Sequence, residues 1–365
     1  MLRRMLLALA LFLPVAVSAQ APAQPPAPPQ PIALERPHAI VAVGADTSIE
    51  VASGEAEPGR ALTVDTPVRV ASNTKTFVAA TLLRLWEQGR IDLDAPIGPL
   101  LTPALDALLR ADGFDTARIT VRQVMSHSAG FYDHGGDPRF IAMVQADPAH
   151  VFTREELVRL SMAWADPQSP PGTEFRYSDT GYILLGDIIE RLTGKNLAAA
   201  VREQLRLDRL GLRSTWWERF EQPPAGAPAR ARQYLGETDA TGFDVSMDLY
   251  GGGGLLMSAR DLATFFQALF DGRVFDRPET LREMLWQGPH RNAQLYRLGI
   301  FVKRVGERDF YWHSGFWGTM AYYDPQNRVA IAGITTNQDG YRALLGQVER
   351  MIGIPPAPAL PASGN

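Results

Sequence analysis

The sequence contains no cysteine. This absence excludes disulfide bonds, a thiolate nucleophile, a lipidated cysteine and every metal site that is built from cysteine ligands. The protein must therefore rely on its hydrophobic core, and a hydrophobic content of 45% is enough for one large domain or two closely packed ones. A basic run is missing as well, and the formal net charge of −4 argues against nucleic acid or an anionic membrane as a partner.

Residues 1–19 have the parts of a secretory signal peptide. Arg3 and Arg4 precede an apolar stretch, and Val17-Ser18-Ala19 supplies the small residues of a cleavage site before Gln20. The stretch is too short to span a bilayer permanently, and no later segment is apolar for long enough to do so. We therefore expect a periplasmic or secreted protein without a stable membrane span, whose formal charge of −4 becomes −6 once the two arginines are removed.

Proline-rich segments flank the part of the chain that can fold. Residues 20–37 are rich in Pro, Ala and Gln, cannot form a packed core and are interpreted as an extended tether. Residues 353–365 form a similar tail. The predicted folded domain is residues 38–352.

Strand patterns lie at both ends of this domain, with helical patterns between them. Strands are expected at 38–44, 48–54, 298–303, 310–313, 320–323 and 329–334. Helices are expected at 154–160 with Thr153 as the N-cap, at 255–270 and at 341–351. The pattern predicts an α+β fold: an antiparallel sheet flanked by helices, with an inserted α-helical lobe at about residues 93–247.

The most informative motif is Ser72-Asn73-Thr74-Lys75, at the start of a helical pattern. Residues i and i+3 share one face of a helix, so the Ser72 hydroxyl and the Lys75 amine can meet. The N–H groups at a helix start also favour a developing oxyanion. The motif indicates a nucleophile with a basic partner, although such a motif by itself is more commonly an N-cap serine beside a solvated lysine.

Two later segments carry further groups that are suited to catalysis. Tyr177 stands two residues before Asp179 in a turn-like stretch, and its phenol can act as an acid or a base. A strand-like run ends in His313-Ser314-Gly315, where the glycine allows a ligand to approach the backbone closely.

These three segments, in this order, resemble the serine β-lactamase and penicillin-binding-protein family, specifically its class C-like branch, with the motifs Ser-x-x-Lys, Tyr-x-Asn and Lys/His-Thr/Ser-Gly. The resemblance covers roughly residues 38–352 and includes the connecting segments 89–96, 119–130, 170–178 and 251–262. The chain departs from the pattern at Asp179, where the family usually has Asn, and at His313, where class C β-lactamases and carboxypeptidases usually have Lys. Both departures bear on the substrate rather than on the type of reaction.

The resemblance implies roles for the motif residues. Ser72 would be the acylating nucleophile, and Lys75 and Tyr177 would transfer protons. His313, Ser314 and Gly315 would orient the substrate, and the N–H groups of Ser72 and Phe316 would form the oxyanion hole. Neither a metal nor an organic cofactor would be needed.

Asp179 is expected to change the electrostatics of this site. A carboxylate near Lys75 favours the ammonium form, which would shift the role of base toward Tyr177. The alternative is that Asp179 is only the N-cap of the following helix. A neutral His313 would hold a substrate carboxylate less firmly than Lys, which favours esters or amides without one. Phe316 and Trp317 would then form an apolar wall, or else pack in the core.

Two other polar segments are interpreted as structural. One loop carries four residues that could be mistaken for metal ligands but match no zinc motif, and capping and turn roles explain them: His127, Asp133, His134 and Asp137. Residues 251–254 are all glycine but lack the Lys and Ser/Thr of a phosphate loop, so they are interpreted as a tight turn.

The expected function is that of a serine hydrolase acting through an acyl-enzyme on a D-amino-acid peptide, an ester or a β-lactam. Its partner would be a small molecule or a cell-wall peptide. The alternative is a catalytically idle protein on the same fold that binds cell-wall peptides. Intact Ser72, Lys75 and Tyr177 argue against this alternative, because such a protein would not need all three.

The signal-peptide pattern predicts that the mature chain begins at Gln20 and is recovered from a cell-envelope or extracellular fraction. N-terminal sequencing of the protein from fractionated cells measures both. An Ala19→Arg variant serves as the control, because a large charged residue at the cleavage site should block processing. A cytoplasmic protein that retains Met1 would refute the interpretation.

Overall fold

The computed structural model of the protein describes residues 34–355. The expected signal peptide, the first part of the expected tether and residues 356–365 of the expected tail lie outside the described residues. The described α-helices are α1 Thr74–Glu87, α2 Pro103–Ala111, α3 Val121–Met125, α4 Pro138–Ala146, α5 Arg154–Trp164, α6 Asp179–Thr193, α7 Leu197–Leu205, α8 Ala259–Phe270, α9 Pro278–Met284 and α10 Tyr341–Met351. The described strands are β1 His38–Gly44, β2 Ser48–Ser53, β3 Glu55–Glu57, β4 Arg60–Ala61, β5 Val68–Arg69, β6 Trp216–Trp217, β7 Tyr234–Leu235, β8 Thr238–Asp239, β9 Leu255–Met257, β10 Phe301–Val305, β11 Arg308–Gly315, β12 Thr319–Asp324 and β13 Val329–Thr335.

The main sheet has six strands in the order β10-β11-β12-β13-β1-β2, and every neighbouring pair is antiparallel. β1 pairs with β13, so the first and last long strands of the domain lie side by side. Helix α8 packs against β1, β12 and β13, and α10 packs against β13. The α+β fold with an antiparallel sheet and flanking helices is therefore confirmed.

Two predicted elements differ from the observed ones. The strand expected at 298–303 begins at Phe301, because Gly299 has a φ of +87° and a Cβ there would lie 2.2 Å from the Cβ of Ala79 in α1. The helix expected at 255–270 begins only at Ala259. The three residues before it form β9, which pairs with β5 and β6, and Ser258 caps α8 by accepting a hydrogen bond from the Asp261 N–H at 3.1 Å.

Helix α6 is the central element of the segment between residues 93 and 247. It contacts α1, α3, α5 and α7, and its residues 180–189 are all buried. It ends at Gly194, which adopts the left-handed conformation with a φ of 69°. Its buried position fixes where its first residue, Asp179, lies relative to α1. Across residues 34–355, none of the helices combines the length and the apolar character that crossing a membrane requires.

Thr153 caps α5 as the sequence predicts. Its hydroxyl accepts a hydrogen bond from the Glu156 N–H at 3.1 Å, and the Glu156 carboxylate accepts one from the Thr153 N–H. Thr153→Ala removes one half of this capping box and should lower the free energy of unfolding by about 1 kcal/mol. Thr153→Ser keeps the hydroxyl and is the matched control. Equal melting temperatures for the two variants would contradict the capping role.

Candidate active site

Ser72 lies in a 3-10 turn, Ala71–Asn73, that immediately precedes α1. The Asn73 side chain donates hydrogen bonds to the Val70 carbonyl at 3.1 Å and to the Thr319 hydroxyl at 2.9 Å. The Thr319 hydroxyl in turn donates to the same carbonyl at 3.0 Å. These bonds attach the turn to β12, so the position of Ser72 is set by the sheet as well as by the helix.

Lys75 is fully buried, donates two hydrogen bonds and forms one ion pair. Its Nζ lies 2.8 Å from Ser72 Oγ, 2.8 Å from the Gly252 carbonyl oxygen and 2.5 Å from Asp179 Oδ1. Burial by itself would lower the pKa of the Lys75 amine. The negative charges of Asp179, Tyr177 and Asp248 raise it by a larger amount, so the pKa lies well above its usual value. Lys75 is therefore an ammonium at neutral pH.

Asp179 is the first residue of α6, and Ser178 is the N-cap. The alternative that Asp179 is the N-cap is therefore wrong. Its N–H donates to Asp133 Oδ1 at 2.9 Å, and the Ser178 N–H donates to His127 Nδ1 at 3.1 Å. Burial acts to raise the pKa of the Asp179 carboxyl, but the Lys75 ammonium lowers it more, so this carboxyl is ionised.

Tyr177 lies against Lys75 and two aromatic rings. Its ring centroid is 5.2 Å from Lys75 Nζ, 4.3 Å from the His127 ring and 5.8 Å from the Phe301 ring, on which it stacks. Burial raises the pKa of the phenol, and Lys75 offsets only part of that rise. Both candidate bases are thus protonated at neutral pH, and one proton must leave the pair before either can accept the proton of Ser72.

His313 is completely buried and lies behind Tyr177, with 6.4 Å between the two ring centroids. Its Nδ1 is 2.9 Å from the Ser314 carbonyl oxygen and therefore donates, which leaves Nε2 to accept from the Tyr296 hydroxyl at 3.2 Å. Burial lowers the pKa of the imidazole to about 3, so it is neutral. The sequence suggested that this side chain orients the substrate, but in the structure it contacts Tyr296 and does not line the pocket beside Ser72.

Gly315 allows the backbone of β11 to lie close to the backbone at Val70, just before the turn that holds Ser72. A Cβ at this position would lie 2.0 Å from the Val70 carbonyl oxygen, so any larger residue would push β11 away from the turn that holds Ser72. The sequence suggested that this glycine admits a ligand, whereas the structure places the chain's own backbone there. Ser314 is half-buried on the same strand.

A cavity of about 50 Å³ opens beside Ser72 and contains the side chains of Asp179 and Asp248. Phe316, which is 41% exposed, forms part of its wall, while Trp317 is buried beneath the surface. The other apolar residues of the wall are Phe140, Ile141 and Met247.

The capping roles that the sequence predicts for His127 and Asp133 are confirmed, because both accept hydrogen bonds from N–H groups at the start of α6. Sequence reasoning missed two contributors to this site, Gly252 and Asp248. Gly252 supplies a carbonyl to Lys75, and Asp248 lines the cavity. The glycine run 251–254 was the available signal for both, because a Cβ on Gly253 would lie 1.9 Å from Asp248 Oδ2.

The sequence model of the family described as beta-lactamase matches residues 31–349. The chain belongs to the beta-lactamase family. The expected resemblance is thus confirmed, and the Ser72, Tyr177 and His313 segments all lie inside the matched region.

The proteins that this chain is similar to include an esterase, an amidohydrolase and an amidase. The chain is 33% identical to esterase EstB of Burkholderia gladioli over 183 residues, which are 46% of this chain and 44% of that protein. Its structure resembles a D-stereospecific amidohydrolase from Streptomyces sp., with a TM-score of 0.72, 26% identity and coverage of 86% and 94% of the two chains. It also resembles a D-amino acid amidase from Ochrobactrum anthropi SV3, with a TM-score of 0.72, 25% identity and coverage of 87% and 93%. Matches to several other curated relatives span only 39% to 49% of their length.

The ion pair between Lys75 and Asp179 predicts a shift in pH dependence. Asp179→Asn removes the charge that holds Lys75 as an ammonium and that also disfavours a Tyr177 phenolate. The pKa of the coupled pair should fall, so the rising alkaline limb of kcat/KM should move to lower pH. A pH–rate profile on an ester substrate measures this shift.

Asp137→Asn is the control, because Asp137 is the N-cap of α4 and pairs with Arg139 and Tyr132 instead of Lys75. Tyr177→Phe then shows which member of the pair accepts the proton. An Asp179→Asn profile that coincides with the wild-type profile would mean that Asp179 does not control the ionisation of the pair.

Proposed function

We propose that this protein is a serine hydrolase that forms an acyl-enzyme on Ser72. The observation that carries the proposal is the 2.8 Å contact between Ser72 Oγ and the buried Lys75 Nζ at the edge of a cavity. Tyr177 lies against the same amine, with 5.2 Å between its ring centroid and Lys75 Nζ. A hydroxyl with two adjacent proton-transfer groups is the arrangement that nucleophilic catalysis requires.

The reaction would proceed in two steps. In the first, Ser72 Oγ attacks the carbonyl carbon while its proton passes to the Lys75–Tyr177 pair; that proton then goes to the leaving group, and the acyl-enzyme remains. In the second, a water molecule gives a proton to the same pair while its oxygen attacks the ester carbon; the bond from that carbon to Ser72 Oγ then breaks, the pair returns the proton to Oγ, and the acid is released.

The oxyanion of each step would be held by the N–H groups of Ser72 and Phe316. Among the described residues, the Phe316 N–H donates to no other group, and Phe316 and Ser72 line the same cavity.

The proposed substrates are D-amino-acid peptides or amides, esters and β-lactams, in a periplasmic or secreted setting. The names of the esterase, the D-stereospecific amidohydrolase and the D-amino acid amidase support the first two classes. A cell-wall peptide or a small molecule would be the partner, and neither a metal nor an organic cofactor is required by the residues proposed here.

One observation favours a second candidate, a catalytically idle protein that binds cell-wall peptides. Asp179 holds Lys75 as an ammonium, so the resting site has no free amine to act as a base. An idle protein would keep the cavity but would not activate Ser72.

Ser72→Ala distinguishes the two candidates. Turnover of p-nitrophenyl butyrate should fall by roughly 10³-fold or more, and the mass increase after treatment with a fluorophosphonate should disappear, because both depend on an activated hydroxyl. Ser53→Ala, which removes an exposed hydroxyl from β2, is the matched control and should keep both properties. Melting temperatures check that each variant is folded. A folded wild-type protein with neither turnover nor adduct would favour the idle binding protein.

A further inference from the structure

Asp248 lies beside the ion pair of the proposed active site. It ends the 3-10 turn Val245–Asp248 and lines the cavity that also contains Ser72. A Cβ on Gly252 would be 3.2 Å from Asp248 Oδ1 and 3.7 Å from both Asp179 Cγ and Lys75 Nζ. The Asp248 carboxylate is therefore a near neighbour of the charged groups around the nucleophile.

No donor within residues 34–355 satisfies this carboxylate. Lys75 donates its hydrogen bonds to Ser72 and to the Gly252 carbonyl, and it forms its ion pair with Asp179. Arg69 is the other cation that influences Asp248, but its guanidinium is held by Glu218 and by the Phe243 carbonyl. Asp248 is half-buried in the wall of the cavity, so a ligand that enters the cavity with N–H donors could supply the hydrogen bonds that the described residues do not.

The charges around the cavity are also unbalanced. Asp133, Asp179 and Asp248 surround one ammonium, that of Lys75. Burial and the neighbouring Asp179 raise the pKa values of Asp133 and Asp248 to about 7, and burial keeps His313 neutral. The described residues thus offer no spare cation for a substrate carboxylate, and they leave negative charge unpaired beside the nucleophile.

We propose that Asp248 binds the ammonium group of the substrate, which would be an amide or ester whose acyl part carries a free amino group. The inference rests on the proposed function, because it assigns the substrate class of that same site. An α-ammonium is two bonds from the carbonyl carbon that Ser72 attacks, so a single small cavity holding both Ser72 and Asp248 suits such a substrate. Phe140, Ile141 and Phe316 provide an apolar surface for the adjoining side chain.

Binding without turnover tests the proposal. Calorimetry at pH 8 on the Ser72→Ala protein compares D- and L-phenylalaninamide with their N-acetyl analogues, which lack the charge. At least one of the two phenylalaninamides should bind 10-fold or more tightly than its N-acetyl analogue. In the Ser72→Ala, Asp248→Asn double variant, most of that preference should be lost. Asp147→Asn neutralises an exposed carboxylate, changes the net charge equally and should keep the preference. Equal binding of amines and analogues, or a preference that survives Asp248→Asn, overturns the proposal.

Asp248→Asn should remain folded. The pKa of Asp248 in the folded protein is raised to about 7, above its ordinary value, so ionisation of this group lowers stability as the pH rises toward 8. The variant should therefore melt no lower than the Ser72→Ala parent at pH 8. Calorimetry needs no turnover, so the two proposals can fail separately. If the fluorophosphonate does not label Ser72 of the wild-type protein, the proposed hydrolase function fails, but the binding preference can still be measured. If Ser72 is labelled but free amines are not preferred, only this inference fails.

Discussion

The buried ammonium of Lys75 is the group on which the rest of the site depends. A fully desolvated charge is tolerated only when opposite charge and hydrogen-bond acceptors surround it. Asp179 provides the charge, and Ser72 and the Gly252 carbonyl complete the set of acceptors. The same three contacts join the turn before α1, the start of α6 and the glycine run, so the electrostatic requirement of one side chain also holds three distant parts of the chain together.

Close packing makes this arrangement possible. A Cβ on Gly135 would lie 2.0 Å from Asp179 Oδ2, and one on Gly253 would lie 1.9 Å from Asp248 Oδ2. Glycine at both positions leaves space for carboxylates in the loops that face Lys75. Asp133 then fixes the Asp179 N–H, which points the first turn of α6 toward the amine.

The site combines a favourable ion pair with unfavourable neighbours. Asp179 is stabilised by Lys75, whereas burial and the charge of Asp179 raise the pKa values of Asp133 and Asp248. Proteins commonly keep such destabilising groups where they serve binding or catalysis. The two departures from the family pattern differ in this respect: Asp179 lines the cavity and changes the charge that a substrate meets, whereas His313 is neutral, completely buried and does not line the cavity.

The sequence by itself determined the features that depend on neighbours in the chain. The Thr153 cap, the bounds of α10 and the pairing pattern of β12 and β13 follow from local hydrogen bonds and side-chain periodicity, and the order of the three motifs indicated the family. Only the tertiary structure decided that Gly252 accepts a hydrogen bond from Lys75, because 177 residues separate them and no local pattern encodes the contact. It also decided that His313 faces Tyr296 and that Asp248 faces the cavity, since burial and the partners of a side chain arise only when distant elements pack.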